Sequence, residues 1–593
     1  MWNGNAERTE AAVAFSGKHR AGIVLAASIA FVAKLLLALR TYGTNDVYTY
    51  ERFGVWSGYF GAELYKIAPD LNHPPSMLHF LRALIWLSGA TPLPFEFWLR
   101  FIGILADVGT LWLICRIVGP RLAERSVYFA VLLIAIAPTE IMISGFHGNT
   151  DPLMIFFVTA AVWLAGYRGK TAAGGAAWGL AICIKITPIV LAPVLFFSLS
   201  GLRKRMAFFA AAAVVVLVAW APYLYQEPAA VIHQVFGYKS SYGLWGVSWI
   251  LRELVNAWPA SGWINSGFSR LGSSIVMASI LWISVKMNDM AKRPSLYAQA
   301  GVVFLTFFAG TSGFAVQYLA WLTPWVAELG VLPVAWYVFT GSVFLLVVYN
   351  YWNLGMPWYL AIAYPWGSHQ YFQLLCWISV LILAYAAWRR MSGREPLRTA
   401  AFSRISAPIR FGAVAVAIGG FIIYPAVLHM RRDAFPVTPT YAGDDVLYEQ
   451  ADEYHNLATE LADHGRRTEA DAVQNQSIRM AASGQRMSAE LARLQPARLN
   501  ARTPEESVDA SLEDYNRGDF GQCVYDATQS LKLRPGMPSA WNNIALCNGE
   551  LGNWDAAVAG AIEALRIEPE SDVVKQNLAW ATAQKDRAAP SEK

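Results

Sequence analysis

AGIVLAASIAFVAKLLLAL, residues 21–39, is followed by TYGTNDVYTYERFGVWSGYFGAELYKIAPDLNHPP, residues 41–75. The first run is long enough to cross a bilayer. It is too long for the core of a signal peptide and no small-residue cleavage site follows, so it predicts a retained span. The second stretch is too polar for hydrocarbon and too long for a simple turn, so we expect a functional loop; the alternative is a solvated connector.

Composition places the whole chain in the membrane class. Of 593 residues, 55% are hydrophobic and 15% charged, and the apolar residues form long unbroken runs. This pattern predicts an all-α, polytopic membrane bundle with a soluble tail. The net charge of +5 does not indicate nucleic-acid binding, because Lys and Arg lie mostly in short loops between apolar segments. The five cysteines show no metal-binding spacing.

Basic residues in the loops predict the topology. Arg8, Lys18 and Arg20 precede the first span, so residues 1–20 are expected in the cytoplasm and Asp46 on the outer side. If residues 76–89 crossed the membrane, the next basic cluster would fall on the outer side. We therefore expect this segment to lie on the outer face of the membrane. About thirteen spans result within a membrane domain of residues 21–430. The predicted crossings are 21–39, 97–117, 126–144, 152–167, two short legs between 170 and 203, 206–224, 271–285, 296–311, 318–332, 334–351, 372–388 and 411–428.

Between residues 170 and 203 the chain must go out and back within about thirty residues, and each leg is shorter than a full span. Lys185-Ile186-Thr187-Pro188 lies at the apex. We therefore predict a broken helix pair with a buried lysine near the outer leaflet. Irregular backbone of this kind is tolerated only where it lines a cavity.

Polar residues at the predicted loop mouths collect on the outer side, where ionisable groups at membrane depth indicate function. An interfacial anchor is the alternative for each residue alone. A carboxylate there can accept a hydroxyl proton while a lysine stabilises a phosphate leaving group, which suits attack by a hydroxyl on a lipid-phosphate sugar. The candidate substrate-binding residues are His73, His147, Asn149, Asp151, Lys185, Tyr238, Lys239, Trp245, Gln317 and Tyr318.

Five stretches in order resemble the C-type fold glycosyltransferases. They are Asp46 in the first external loop, Asn72-His73-Pro74-Pro75, residues 100–107 (RFIGILAD), residues 144–151 (SGFHGNTD) and residues 179–188 (GLAICIKITP). The resemblance covers roughly residues 20–430. It is closest to bacterial polyprenyl-phosphate-mannose-dependent mannosyltransferases and to dolichyl-phosphate-glucose-dependent glucosyltransferases.

The resemblance implies that Asp46 is the general base. Glu51 is the alternative, because the acid-aromatic-acid arrangement usual after the first helix is spread out here as DVYTYE, residues 46–51. It also implies that the donor phosphate or sugar is lined by His147, Asn149, Asp151 and Lys185. Asp151 could instead cap the following helix, with Pro152 at its first turn.

Two further expectations come from the residues themselves. Arg100 and Asp107 lie about two turns apart in an apolar helix and could satisfy each other. Neither a metal nor another cofactor is expected, because no carboxylate pair with open coordination is visible and no phosphate loop or Gly-rich dinucleotide motif is present.

The tail differs sharply from the membrane domain. A linker over 431–446 precedes helical repeats over 447–593, with a helical hairpin near residues 454–480. A 34-residue period resembles tetratricopeptide repeats: Gly518 recurs as Gly552, Phe520 as Trp554, Leu531 as Leu565 and Pro535 as Pro569. Cys523 and Cys547 could face each other as a disulfide in an oxidising compartment, or be small interface residues. The repeats would bind an acceptor or partner protein, or hold an oligomer together.

These features lead to one main hypothesis. We expect an inner-membrane enzyme that moves one sugar from a polyprenyl-phosphate donor to a lipid-linked glycan or protein acceptor outside the cytoplasm, with inversion. One alternative is an oligosaccharide ligase or polymerase that uses a lipid diphosphate. Another is a non-catalytic scaffold that displays the repeats. A transporter is disfavoured, because no internal duplication of spans is evident and the ionisable residues gather at one face.

Overall fold

The computed structural model of the protein describes residues 17–352 except 42, 69, 238 and 239, residues 368–393, scattered positions between 451 and 481, and residues 504–588 except 534, 535 and 570. The predicted span over 411–428 and the linker over 431–446 lie outside the described residues. The chain divides into two compact units, Met1–Met430 with Tyr441–Gln485, and Arg431–Thr440 with Arg486–Lys593. Each unit is treated by itself.

The described part of the first unit is helical, apart from an isolated bridge between Tyr242 and Gly313. Its α-helices are α1 (Gly17–Arg40), α2 (Asn45–Phe60), α3 (Leu64–Ile67), α4 (Pro75–Ala90), α5 (Phe95–Ile117), α6 (Arg125–Ala135), α7 (Pro138–Met142), α8 (Asp151–Gly166), α9 (Thr171–Ile184), α10 (Ala192–Ser198), α11 (Leu202–Gln226), α12 (Pro228–Gly237), α13 (Gly246–Ala257), α14 (Gly262–Asn288), α15 (Leu296–Gly310), α16 (Val331–Trp352) and α17 (Ser368–Met391).

Within the described residues, seven helical segments are long and apolar enough to cross a membrane. They are His19–Arg40, Phe95–Ile117, Arg125–His147, Leu202–Gln226, Pro259–Asn288, Val331–Tyr349 and Tyr371–Met391. Four shorter apolar helices accompany them: Asp151–Gly166, Thr171–Ile184, Thr187–Ser198 and Leu296–Gly310. The prediction of an all-α polytopic membrane protein is confirmed. The count of about thirteen spans stays a prediction.

The stretch after α1 is folded differently from the prediction. We expected residues 41–75 to form a loop, but Asn45–Phe60 is an α-helix, α2. Thr44 starts it with extended backbone, and its side-chain oxygen accepts a hydrogen bond from the Asp46 amide at 3.3 Å. Gly61 ends it with a positive φ of 55°. The loop prediction is wrong because it weighed polarity and missed this capping signal.

A second difference concerns residues 318–332, which were predicted as a helical span. They form three short 3₁₀ turns, Val316–Trp321, Thr323–Trp325 and Ala327–Leu329. Pro324 has no amide hydrogen to continue an α-helix, and Gly330 ends the stretch at a φ of 91°. The prediction of a regular span here is wrong, although the segment is deeply buried, with Tyr318, Trp321 and Trp325 in the core.

The predicted helix break at residues 185–188 is confirmed. Helix α9 ends at Ile184, Lys185 has extended backbone (φ −143°, ψ 143°), and a 3₁₀ turn follows over Thr187–Leu191. Helix α9 packs tightly on α11, because a Cβ on Gly175 would collide with the carbonyl oxygen of Phe208. This close packing fixes the end of α9, and with it the position of Lys185.

Arg100 and Asp107 do not pair, so that expectation is wrong. Asp107 accepts a 2.6 Å bond from Lys34 of α1. The fully buried Arg100 instead donates to main-chain carbonyls, including Ala38 at 3.1 Å and Thr41, and to the Thr41 hydroxyl at 2.8 Å. These carbonyls lie at and just beyond the end of α1, where no intrahelical donor is available. Arg100 therefore holds the end of α1 against α5.

A π-helical turn, Ile143–His147, completes the helix pair α6–α7. Pro138 separates α6 from α7, and the wider π turn ends at Gly148, whose φ is 76°. Such turns insert one extra residue into a helix and often occur at functional sites. Here the turn places the His147 ring against Asp46 of α2.

The described residues of the 451–481 hairpin pack on the far end of α2. Tyr454 is fully buried and meets Trp56 edge to face, with ring centroids 5.3 Å apart. The Arg466 guanidinium lies 4.9 Å from the Phe60 ring centroid and 3.9 Å from the Glu63 carboxylate. The hairpin thus belongs structurally to the membrane unit.

The second unit contains five described helices: α18 (Pro504–Asn516), α19 (Phe520–Leu533), α20 (Pro538–Glu550), α21 (Trp554–Ile567) and α22 (Asp572–Ala588). The starts of α18 and α19 recur 34 residues later as the starts of α20 and α21. Gly518 and Gly552 occupy the same left-handed turn, each with a φ of 76°. Cys523 and Cys547 form a disulfide with Cα atoms 6.3 Å apart. The tetratricopeptide resemblance itself stays a prediction.

Candidate active site

Asp46 is the first acidic residue of α2, and its carboxylate is held by the π turn. The His147 ring contacts it through Nε2, 2.9 Å from Oδ2. The other ring nitrogen, Nδ1, lies 2.7 Å from the hydroxyl of Tyr349 near the end of α16. Because the carboxylate accepts from Nε2–H, a neutral ring uses Nδ1 to accept from the tyrosine. The three side chains form a continuous chain of hydrogen bonds.

Main-chain contacts fix this arrangement. The Thr44 hydroxyl donates to the His147 carbonyl at 2.9 Å, and the Thr44 amide donates to the same oxygen at 3.3 Å. Thr44 thus caps α2 and ties it to the π turn at one point. Arg100 adds a donor to the Gly145 carbonyl at 3.5 Å, so the turn and the end of α1 share one anchor. The distance between the Asp46 carboxylate and the His147 ring therefore depends on main-chain hydrogen bonds and not on side-chain conformation alone.

The environment of Asp46 keeps its carboxyl ionised. Burial by itself would raise the pKa of Asp46, but the facing His147 and, more weakly, Lys185 and His73 outweigh burial and lower this pKa below its usual value. The side chain is still 29% exposed. A carboxylate that is ionised, oriented and accessible can accept a proton from a hydroxyl.

A buried ion pair lies beside this carboxylate. Lys185, at the break after α9, contacts the fully buried carboxylate of Asp151 at the start of α8. The Asn149 amide donates to Asp151 at 3.0 Å, and the Asn149 side-chain oxygen accepts from the Asp151 amide at 3.0 Å. The Asp151 carboxylate therefore orients Lys185. The alternative role as a helix cap is wrong, because Thr150 occupies that position.

The 3₁₀ turn Val316–Trp321 brings two more predicted residues to the site. Gln317 Nε2 lies 3.4 Å from Asp46 Oδ2. The Lys185 ammonium lies 5.2 Å from the ring centroid of Tyr318 and 5.5 Å from that of Trp321. Aromatic faces stabilise a desolvated cation at these distances. The turn thus touches both the carboxylate and the lysine.

His73 is also part of the cluster. Its ring is 9% exposed, lies 5.1 Å from the Tyr50 ring, and feels the charges of both Asp46 and Lys185. The Tyr65 hydroxyl fixes the His73 carbonyl at 2.6 Å. The structure therefore brings together eight predicted residues, which are Asp46, His73, His147, Asn149, Asp151, Lys185, Gln317 and Tyr318.

Other predicted residues lie elsewhere. Glu51 follows Asp46 by five residues on α2, about 140° around the helix from it. Trp245 is fully buried, stacks on Phe314 with centroids 3.9 Å apart, and donates to the Phe308 carbonyl at 2.8 Å. It packs the core and holds the segment before the 3₁₀ turns. Tyr238 and Lys239 lie outside the described residues.

Sequence reasoning missed Tyr349. The tyrosine lies in an apolar helix without a neighbouring polar motif, so its sequence gave no signal. The placement of His147 at the donor stays a prediction, and the structure adds the contact of its ring with Asp46. Among the described residues, no three His, Cys, Asp or Glu side chains are grouped so that they could hold a metal ion.

Comparison with known proteins adds an independent indication. No curated protein matches the chain. Residues 72–286 match the model of glycosyltransferase family 87. The matched region includes His73, His147, Asp151 and Lys185, and it begins after Asp46 and ends before Gln317. Together with the long apolar helices, the match to family 87 indicates that the chain is a membrane-bound glycosyltransferase.

Proposed function

We propose that the protein transfers one hexose from a polyprenyl-phosphate donor to a hydroxyl acceptor on the outer side of the membrane, with Asp46 as general base. The single observation that carries the proposal is the juxtaposition of an oriented, ionised carboxylate and a desolvated lysine at one end of the bundle. The first suits a nucleophilic hydroxyl and the second a phosphate leaving group.

The reaction is a single displacement. The acceptor oxygen forms a bond to the anomeric carbon while its proton passes to the Asp46 carboxylate. The bond between that carbon and the phosphate oxygen breaks, and its electron pair leaves with the polyprenyl phosphate. Because the nucleophile attacks opposite the leaving group, the anomeric configuration inverts.

Lys185 is the residue best placed to stabilise the leaving phosphate. Its pairing with Asp151 and its contacts with Tyr318 and Trp321 hold the ammonium in position before the donor binds. A preorganised charge in a water-poor site stabilises developing charge more than the same charge in bulk water. Asn149 orients Asp151 and so acts on Lys185 indirectly.

The outer location rests on the charge distribution around the spans and on the disulfide of the second unit. Basic residues precede α1, which favours a cytoplasmic start. A Cys523–Cys547 disulfide suits an oxidising compartment such as a periplasm. The second unit, if it is a tetratricopeptide array, would recruit the acceptor or a partner protein there.

The test is transfer from a radiolabelled polyprenyl-phosphate sugar by the protein reconstituted in liposomes. We expect Asp46→Asn to lower turnover by about 10²-fold or more, because the hydroxyl then lacks a base. Donor binding should persist, since Asp46 faces the acceptor. Equal turnover of wild type and Asp46→Asn would overturn the proposed mechanism.

Two matched variants separate the alternatives. Glu51→Gln removes the other candidate carboxylate of α2, and we expect it to retain turnover. Deletion of residues 486–593 removes the second unit. If the protein is a scaffold, the deletion abolishes its cellular role and Asp46→Asn leaves that role intact. If the protein is the proposed enzyme, Asp46→Asn abolishes its cellular role.

A further inference from the structure

His73 has one ring nitrogen that no described group satisfies. Within the described residues, His73 Nδ1 is buried and has no hydrogen-bond partner. A buried polar atom without a partner destabilises the protein by about 1–3 kcal/mol. The atom belongs to a ring that lies close enough to Asp46 and Lys185 to feel both charges. Such an atom beside a candidate site calls for a ligand group.

The chemistry of Nδ1 follows from its neighbours. His73 donates a hydrogen bond to the Ile184 carbonyl, and because Nδ1 has no partner this bond is made by Nε2. Burial, followed by the charge of Lys185, lowers the pKa of His73 to about 3. The ring is therefore neutral at physiological pH, its proton is on Nε2, and Nδ1 is an acceptor.

We propose that His73 Nδ1 accepts a hydrogen bond from one hydroxyl of the donor's sugar ring and thereby selects the sugar. This inference rests on the proposed function. The sugar must lie between the base that activates the acceptor and the lysine that stabilises the phosphate, and the His73 ring lies within the electrostatic reach of both. A phosphate oxygen has no proton to donate at neutral pH, so Nδ1 cannot bind the phosphate itself.

The subsite discriminates by hydrogen bonding. Sites built to hydrogen-bond a substrate hydroxyl reject analogues that lack it far more strongly than apolar pockets reject an extra group. The anchoring of His73 supports such discrimination: Tyr65 holds its carbonyl, Ile184 holds Nε2, and Tyr50 flanks the ring. A fixed acceptor tolerates one hydroxyl position and not its epimer.

The experiment measures donor binding to the purified full chain in nanodiscs. Radiolabelled polyprenyl-phosphate mannose, glucose and galactose are compared, and the tightest is competed with its monodeoxy analogues. In wild type we expect one analogue to bind about 10-fold more weakly than the parent sugar, or worse. In His73→Gln we expect the ratio of the dissociation constants of the deoxy analogue and the parent sugar to fall close to one.

His73→Asn is the matched control. A glutamine amide reaches the position of Nε2 and can keep the bond to Ile184, whereas an asparagine amide lies near the position of Nδ1 and can keep an acceptor there. His73→Asn should therefore preserve the discrimination that His73→Gln loses. Thermal unfolding of both variants shows whether they fold. An unchanged parent-to-deoxy ratio in folded His73→Gln would overturn the inference.

The outcomes separate this inference from the proposed function. If no polyprenyl-phosphate sugar binds wild type, the proposed function fails and the His73 subsite fails with it. If Asp46→Asn still transfers sugar while the deoxy ratio collapses in His73→Gln, the base assignment is wrong and the subsite stands. If Asp46→Asn is inactive and the ratio is unchanged in His73→Gln, only the subsite is wrong.

Discussion

At Asp46, burial and neighbouring groups act in opposite directions on one carboxyl. Desolvation disfavours the charged form, and the imidazole of His147 favours it. The balance lowers the pKa of Asp46, so the carboxylate is ready to act throughout the neutral range. In the proposed mechanism, His147 is therefore a positioning residue that works through Asp46.

The first prediction concerns His147→Ala. Without the imidazole, burial dominates and the pKa of Asp46 rises. Because the base must be ionised, activity is present above this pKa and lost as pH falls through it, so the acid limb of the kcat profile should move to higher pH. Loss of orientation should also lower kcat at pH 7 about 10- to 100-fold. An acid limb at the wild-type pH would contradict this role.

Matched tyrosines in α16 provide the control for that measurement. Tyr349→Phe removes the partner of His147 Nδ1 and should shift the acid limb in the same direction, by less. Tyr337→Phe also removes a buried hydroxyl, one that donates to the Leu319 carbonyl at 2.6 Å, and should lower stability without moving the pH profile.

Individual residues differed in how well the sequence predicted them. Asp46 and Lys185 were found from topology and local irregularity, because a carboxylate after a first span and a lysine before Thr-Pro are unusual in apolar surroundings. The contact between Asp46 and His147 joins positions 101 apart and depends on the capping of α2. Tyr349 comes from a helix 202 residues beyond His147, which no local pattern could reveal.

Among the elements, α2 connects the candidate site to the 451–481 hairpin. Its first turn carries Asp46 and its last turn carries Trp56 and Phe60, which meet the 451–481 hairpin. A helix transmits the position of one end to the other because its backbone hydrogen bonds are continuous. We therefore expect the hairpin to influence the orientation of the Asp46 carboxylate, about 15 Å away along the helix axis.

The second prediction tests this connection with Tyr454→Ala. Truncating a fully buried aromatic costs about 3–5 kcal/mol, so the unfolding temperature of the membrane unit should fall. We also expect a lower kcat with an unchanged KM for the donor, and non-additive effects with Trp56→Ala because the two rings touch. Tyr525→Ala, at an exposed tyrosine of the second unit, is the control. Wild-type kcat in a destabilised Tyr454→Ala would refute the connection.

Element types were predicted unevenly for physical reasons. Long apolar runs such as α1, α5 and α11 are unambiguous, since little except a membrane helix accommodates them. Residues 45–60 were missed because their helix is specified by a cap, not by hydrophobicity. Residues 318–332 were predicted as a span because composition does not report that Pro324 and buried polar contacts interrupt the α-helical backbone bonds.

For the whole molecule, the division into a membrane unit and a helical second unit follows the change in composition near residue 431. The division between the two units does not fall at a single point along the chain, because residues 441–485 belong to the first unit. Composition identifies a soluble tail but not which part of it packs on the membrane unit. That assignment depends on contacts such as Tyr454 with Trp56.

The third prediction concerns the disulfide of the second unit. The cross-link closes a loop across α19 and α20, and loops of this length are stabilised by about 3 kcal/mol, through restriction of the unfolded chain in the entropic model. Cys523→Ala with Cys547→Ala, or a reductant, should lower the unfolding temperature of the second unit. Cys115→Ala should have no such effect, since this cysteine is free. Identical unfolding curves with and without reductant would contradict the prediction.

The π turn at Ile143–His147 has a consequence for how such a site can originate. One surplus residue displaces everything after it by about 100° around the helix axis. A single-codon deletion in this stretch would restore a regular α-helix and rotate the imidazole away from the carboxylate, leaving every functional side chain present. In this fold, an insertion or deletion event, with no point substitution, could therefore create or silence the enzyme.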